Sequence, residues 1–133
     1  MELQEHPDAQ LVQRFYRAFA EGDMAGVQAC FASDAVWRLP GKSPIAGNHV
    51  GIDAIFRDFI DKLGPLSGGT FRAELIDVAV GQRFTVAVQH ATAAHNGKTL
   101  DVWACQRITV KDSRIVEIQG HYSDQFALDG FWS

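Results

Sequence analysis

His121 and Asp124 stand close together near the C-terminus. Such a spacing could pair an imidazole base with the carboxylate that orients it, since histidine is the side chain whose proton moves near neutral pH. Strand alternation opposes that role: if Tyr122 points inward, His121 points to the opposite face. Asp124, just past the strand, suits capping of the tail as well as catalysis. His90 meets the same objection as His121. His6, His49 and His95 fall at the terminus, in a loop and at a hairpin. No two histidines combine metal-ligand spacing with a carboxylate, so neither a metal site nor a cofactor is expected. The only thiols, Cys30 and Cys105, sit in apolar surroundings and are expected to be buried and reduced.

Residues so scattered must be positioned by a fold, and composition bounds which one. A chain of 133 residues is long enough for one core and too short for two ordinary domains, so residues 1–133 are expected to form a single domain. With 47% hydrophobic and 21% charged residues, it has the composition of a globular protein. The net charge of −4, with Lys and Arg dispersed, offers no footprint for nucleic acid or anionic lipid. Met1 to Asp8 carries three acidic residues and lacks the apolar stretch of a secretory signal, and no run is long enough to span a membrane. Cytoplasmic residence is the default expectation.

Leu11, Val12, Phe15 and Phe19 recur at helical spacing and predict a helix from Asp8, as its cap, to Glu21, ended by Gly22. A short second helix follows from Met24 to Phe31. Ala35–Leu39 reads as a strand stopped by Pro40-Gly41, then a loop holding Pro44, Gly47 and Gly51. Ile52 to Leu63 reads as a third helix, ended by Gly64-Pro65. From there the period changes to alternation, predicting strands at about Thr70–Val80, Phe84–His95, Thr99–Val110 and Arg114–Tyr122. Asn96-Gly97 and Lys111-Asp112-Ser113 supply tight turns, so the meander is antiparallel. The fold class is α+β: a bent antiparallel sheet wrapped on one face by about three helices.

That order of elements, with Glu21-Gly22-Asp23, Phe31 to Val36, Pro44 to Gly47 and Asp112 to Glu117 as its joints, resembles the nuclear transport factor 2-like superfamily. The ending Tyr122 to Leu128 is similar to that of its SnoaL-like members. The resemblance implies a cone-shaped fold around an apolar pocket. Ketosteroid isomerases of this fold use a strand-borne carboxylate base and two hydrogen-bond donors for an oxyanion. Matched by counting, the helix-one tyrosine falls on Phe15, the base on Leu39, the helix-three tyrosine on Phe59 and the oxyanion-hole acid on Gln106. Only Gln106 keeps a polar group. SnoaL-like cyclases imply an aspartate and an imidazole inside the cone, and no inward-facing pair matches them.

The same register turns Ala87, Gln89, Ala91, Val102, Ala104, Gln106, Ile118, Gly120 and Tyr122 to the concave face. Phe15, Trp37, Leu39, Phe56 and Phe59 join them around a largely apolar cavity, a composition usual for small-molecule sites; the alternative is that they only fill the core. Two functions remain open. One is an isomerase, cyclase or hydratase acting on a hydrophobic carbonyl compound with Gln106 at the oxygen. The other is a domain that binds an apolar or aromatic molecule without turning it over. Val88, His90, Trp103, Cys105 and His121 alternate outward, suiting a homodimer through the convex sheet face.

Overall fold

A stripe of Leu11, Val12, Phe15, Tyr16 and Ala18 buries one side of the first helix. In the computed structural model, which describes residues 6–133, this helix is α1 (Pro7–Ala20). Its start departs from the expected cap: Nδ1 of His6 accepts the Asp8 amide at 3.1 Å. Pro7 and Asp8 occupy the first turn, where a fixed φ and a negative charge both suit a helix N-terminus. Helix α2 (Met24–Ala29) is capped by Asp23, whose carboxylate accepts the Gly26 amide at 2.9 Å. It ends earlier than expected because Phe31 opens strand β1 (Phe31–Leu39).

The segment read as loop contains a further strand, β2 (Gly47–Val50), paired antiparallel with β1 and placing His49 opposite Trp37. Helix α3 (Ile52–Ile55) runs through a π-helical turn (Phe56–Ile60) into α4 (Asp61–Ser67). The predicted stop at Gly64-Pro65 is overridden. Pro65 forfeits one backbone bond within the helix, while buried Ser67 donates to the Leu63 carbonyl at 2.7 Å and accepts the Phe71 amide at 3.2 Å. The last turn is thereby tied to the next strand, and Gly68, at φ 63°, ends it.

The meander follows as β3 (Arg72–Val80), β4 (Thr85–His95), β5 (Lys98–Lys111) and β6 (Arg114–Tyr122). The strand order is β2-β1-β6-β5-β4-β3, with β1 parallel to β6 and every other pairing antiparallel. Bulges between Leu75 and Asp77 and between Thr109 and Val110 bend the sheet. A closing helix that the sequence reading took for a tail, α5 (Gln125–Trp132), is capped by Asp124, which accepts the Ala127 amide at 2.9 Å. Leu128, Phe131 and Trp132 of α5 are buried in the same core cluster as α1 and β1.

Alternation then sorts the sheet residues. Ala87, Gln89, Ala91, Val102, Ala104, Gln106, Ile118 and Gly120 are buried on the helix-covered face. Trp103, Cys105 and His121 are exposed on the other. Both cysteines are free, but only Cys30 is buried; Cys105 is exposed because its strand position is an outward one.

Candidate functional site

Three neighbouring strands build the floor of a cavity from a checkerboard of large and small residues. One row across β4, β5 and β6 reads Gln89, Ala104, Tyr122; the next reads Ala87, Gln106, Gly120. Each polar side chain therefore leans over a small neighbour. Gly120 is required there, since a Cβ would meet the Tyr122 ring at 2.8 Å and Gln106 Oε1 at 3.2 Å. Aromatic rings form the walls: Phe15 of α1 meets Trp37 of β1 edge-on at 5.8 Å, and Trp37 meets Phe59 at 4.9 Å. Leu128 and Trp132 of α5 close the remaining side.

These walls leave a cavity of about 50 Å³, several times the roughly 10–15 Å³ that one water needs. Of the residues that the sequence assigned to a ligand, Phe15, Trp37, Leu39, Phe59, Gln89, Gln106 and Tyr122 line it. Phe56 does not; the π-helical turn brings Phe59 and Ile60 to the wall in its place. Sequence counting left the first helix without a donor, yet Tyr16, next to Phe15, also lines the cavity and donates to Gln89 Oε1 at 2.5 Å. A stripe two residues wide (Leu11-Val12, Phe15-Tyr16) was the available signal, because adjacent helical residues lie about 100° apart.

Among the described residues the polar groups of the cavity are all uncharged. Gln106 Nε2 donates to the Tyr122 hydroxyl at 3.3 Å, so the amide donor expected for a ligand already has a partner. Gln106 Oε1 is buried and has no hydrogen-bond partner among the described residues, and the same holds for Trp37 Nε1. Burial, and next the neighbouring Tyr122, push the Tyr16 phenol well above its ordinary range. Burial also raises Tyr122, opposed by its bond to Gln106. Both phenols keep their protons at neutral pH and act as neutral hydrogen-bonding groups.

The remaining candidates lie elsewhere. His121 is exposed on the outer face, and Asp124 is spent on capping α5. His90 stacks on Trp103 at 4.8 Å and binds Asp101 Oδ1 at 2.6 Å, again outside. His49 is buried, with Nε2 at 2.7 Å from the Ile45 carbonyl and its ring stacked on Phe59 at 5.5 Å, so it backs the wall without reaching the cavity. Among the described residues no carboxylate, imidazole or thiol lines the cavity. Among the described residues no group of three His, Cys, Asp or Glu side chains could hold a metal ion.

Comparison with known proteins places this architecture. A SnoaL-like domain profile matches residues 12–118. An uncharacterized protein of Mycobacterium tuberculosis is 35% identical over 129 residues, covering 95% of this chain and 96% of the relative. Bal32a, from a soil-derived mobile gene cassette, is 38% identical with a TM-score of 0.91, over 96% of this chain and 97% of its own. At lower identity the likeness is one of fold. An NTF2-like protein of Burkholderia xenovorans gives 24% identity and a TM-score of 0.75 over 96% of each chain. TerC, co-crystallized with polyporic acid, gives 18% and 0.82 over 94% of this chain and 97% of its own.

Proposed function

Because the chain belongs to the SnoaL-like domain family, we propose that its cavity binds a small, flat, uncharged apolar molecule, and that it does so without acid-base chemistry from a carboxylate or histidine. One observation carries this reading: a cavity walled by aromatic rings whose polar groups, among the described residues, are two amides, two phenols and two indoles, none of them charged. An anion entering it would lose its water and meet no cation, a cost that an uncharged ligand avoids. The absence of any proton acceptor stronger than an amide or phenol favours the binding reading over the isomerase, cyclase or hydratase reading, since general-base catalysis needs a group poised near the working pH.

The reading is tested by titrating the protein with para-ethylphenol and with para-ethylbenzoate, two ligands of similar shape that differ in charge. The neutral phenol is expected to bind with micromolar to millimolar affinity and the carboxylate at least about ten-fold more weakly. Ala91→Phe, which fills the cavity from its floor, is expected to remove binding of both. Equal affinity for the two ligands, or binding untouched by a filled cavity, would contradict it.

A further inference from the structure

We infer that the ligand of this cavity presents two groups at once, a carbonyl-type acceptor to Trp37 Nε1 and a hydroxyl donor to Gln106 Oε1, so that the site selects hydroxy-carbonyl compounds; this rests on the binding function proposed above. Two fully buried polar atoms of opposite character in the site have no partner among the described residues. Trp37 is 7% exposed and Gln106 2% exposed, and neither the indole N–H nor the amide oxygen has a partner among the described residues. A buried donor or acceptor without a partner is costly, and the great majority in folded proteins are satisfied. The aromatic faces around Trp37 are weak acceptors and do not replace an oxygen.

Bonds among the neighbouring polar groups leave these two atoms free. Tyr16 donates to Gln89 Oε1 and Gln106 Nε2 donates to the Tyr122 hydroxyl, which turns Gln106 so that its oxygen is the free atom. Gly120 keeps that oxygen uncovered, because any side chain there would begin 3.2 Å from it. The sheet register places the two residues on either side of β6: Trp37 pairs with Ile118, whereas Gln106 pairs with Gly120. Their backbones are two strand spacings apart, about 10 Å. An acceptor and a donor carried on one ring can meet both atoms at once. The site thus reads the polarity of the ligand as well as its shape.

The test uses four single-ring probes of one skeleton: ethylbenzene, acetophenone, para-ethylphenol and para-hydroxyacetophenone, titrated below the pH at which the phenols ionise. Each added polar group is expected to tighten binding roughly 2- to 12-fold, the range of one neutral hydrogen bond, with the hydroxyketone combining both gains. Trp37→Phe, which keeps a ring and deletes the N–H, should erase the gain from the carbonyl and preserve that from the hydroxyl. Gln106→Leu should do the reverse. If either variant fails to fold, the wild-type series decides alone: a hydroxyketone no tighter than both single-group probes overturns the inference. Equal binding of all four probes would overturn the inference and leave the binding function standing. Binding of none would remove both.

Discussion

Tyr16 gives the sharpest handle at the scale of single residues. Its folded-state ionisation is raised above the ordinary 10.0, first by burial, so the folded protein retains this proton where the unfolded chain releases it. The sign follows directly: the stabilisation is fully present below pH 10 and is lost as pH rises above it, at about 1.4 kcal/mol per pH unit for each such tyrosine. Tyr122, raised by burial as well, adds in the same direction. Urea unfolding between pH 9 and 11 should show this decline, and Tyr16→Phe should flatten it. The same substitution strands Gln89 Oε1 and should cost about 1–3 kcal/mol at neutral pH. Much of the cavity wall was legible in the sequence, because strand alternation alone selects Gln89, Gln106 and Tyr122. The free indole of Trp37 was not: an unpaired N–H depends on what every neighbour already binds, and periodicity carries no record of that.

Among the elements, α5 closes one side of the cavity and is held by a small set of polar ties. Gln125 Nε2 donates to the Pro40 carbonyl and to Asp129 Oδ1, each at 3.1 Å, and the Lys42 amide donates to the same Asp129 oxygen at 3.1 Å. Gly41 permits this approach, since a Cβ there would fall 2.1 Å from Asp129 Oδ1. Asp129→Ala should loosen the helix, speeding hydrogen exchange of the Leu128 to Trp132 amides and the release of a cavity ligand by roughly 5- to 10-fold, on the order of one lost hydrogen bond. Hydrogen-exchange mass spectrometry with and without para-ethylphenol would measure both; exchange unchanged from wild type would show that apolar packing alone holds α5. The helix was hidden from the sequence because its eight residues include a glycine and follow a strand after only Ser123 and Asp124. Phe126, Leu128, Phe131 and Trp132 offered no clean helical stripe, as Phe126 remains 88% exposed. The long meander was legible to within two residues because alternation over nine or more positions leaves little freedom. Strand β2, only four residues between glycines, forms because β1 is there to pair with it, a long-range cause that local sequence does not display.

For the whole molecule, the outer sheet face sets the question of assembly. Trp103 is 44% exposed and is held flat by His90, which Asp101 anchors in turn. Cys105 and His121 lie beside it on the same exposed face. A pre-ordered aromatic residue on an open sheet suits an isologous contact, and we expect a homodimer through this face. Trp103→Glu should give monomers by solution mass measurement while leaving para-ethylphenol binding unchanged; a wild-type monomer would contradict the expectation. The cavity lies on the opposite face, so assembly and binding are separable. Binding is the central claim, and the three tryptophans of the chain allow it to be tested directly. The measurement is the indole N–H resonances during titration with para-hydroxyacetophenone, with Trp37→Phe used to assign the signal of Trp37. A ligand accepted at the cavity should shift the Trp37 resonance downfield and saturably while Trp103, on the outer face, stays in place. A Trp37 signal that does not move at saturating ligand, or a shift confined to Trp103, would contradict the account.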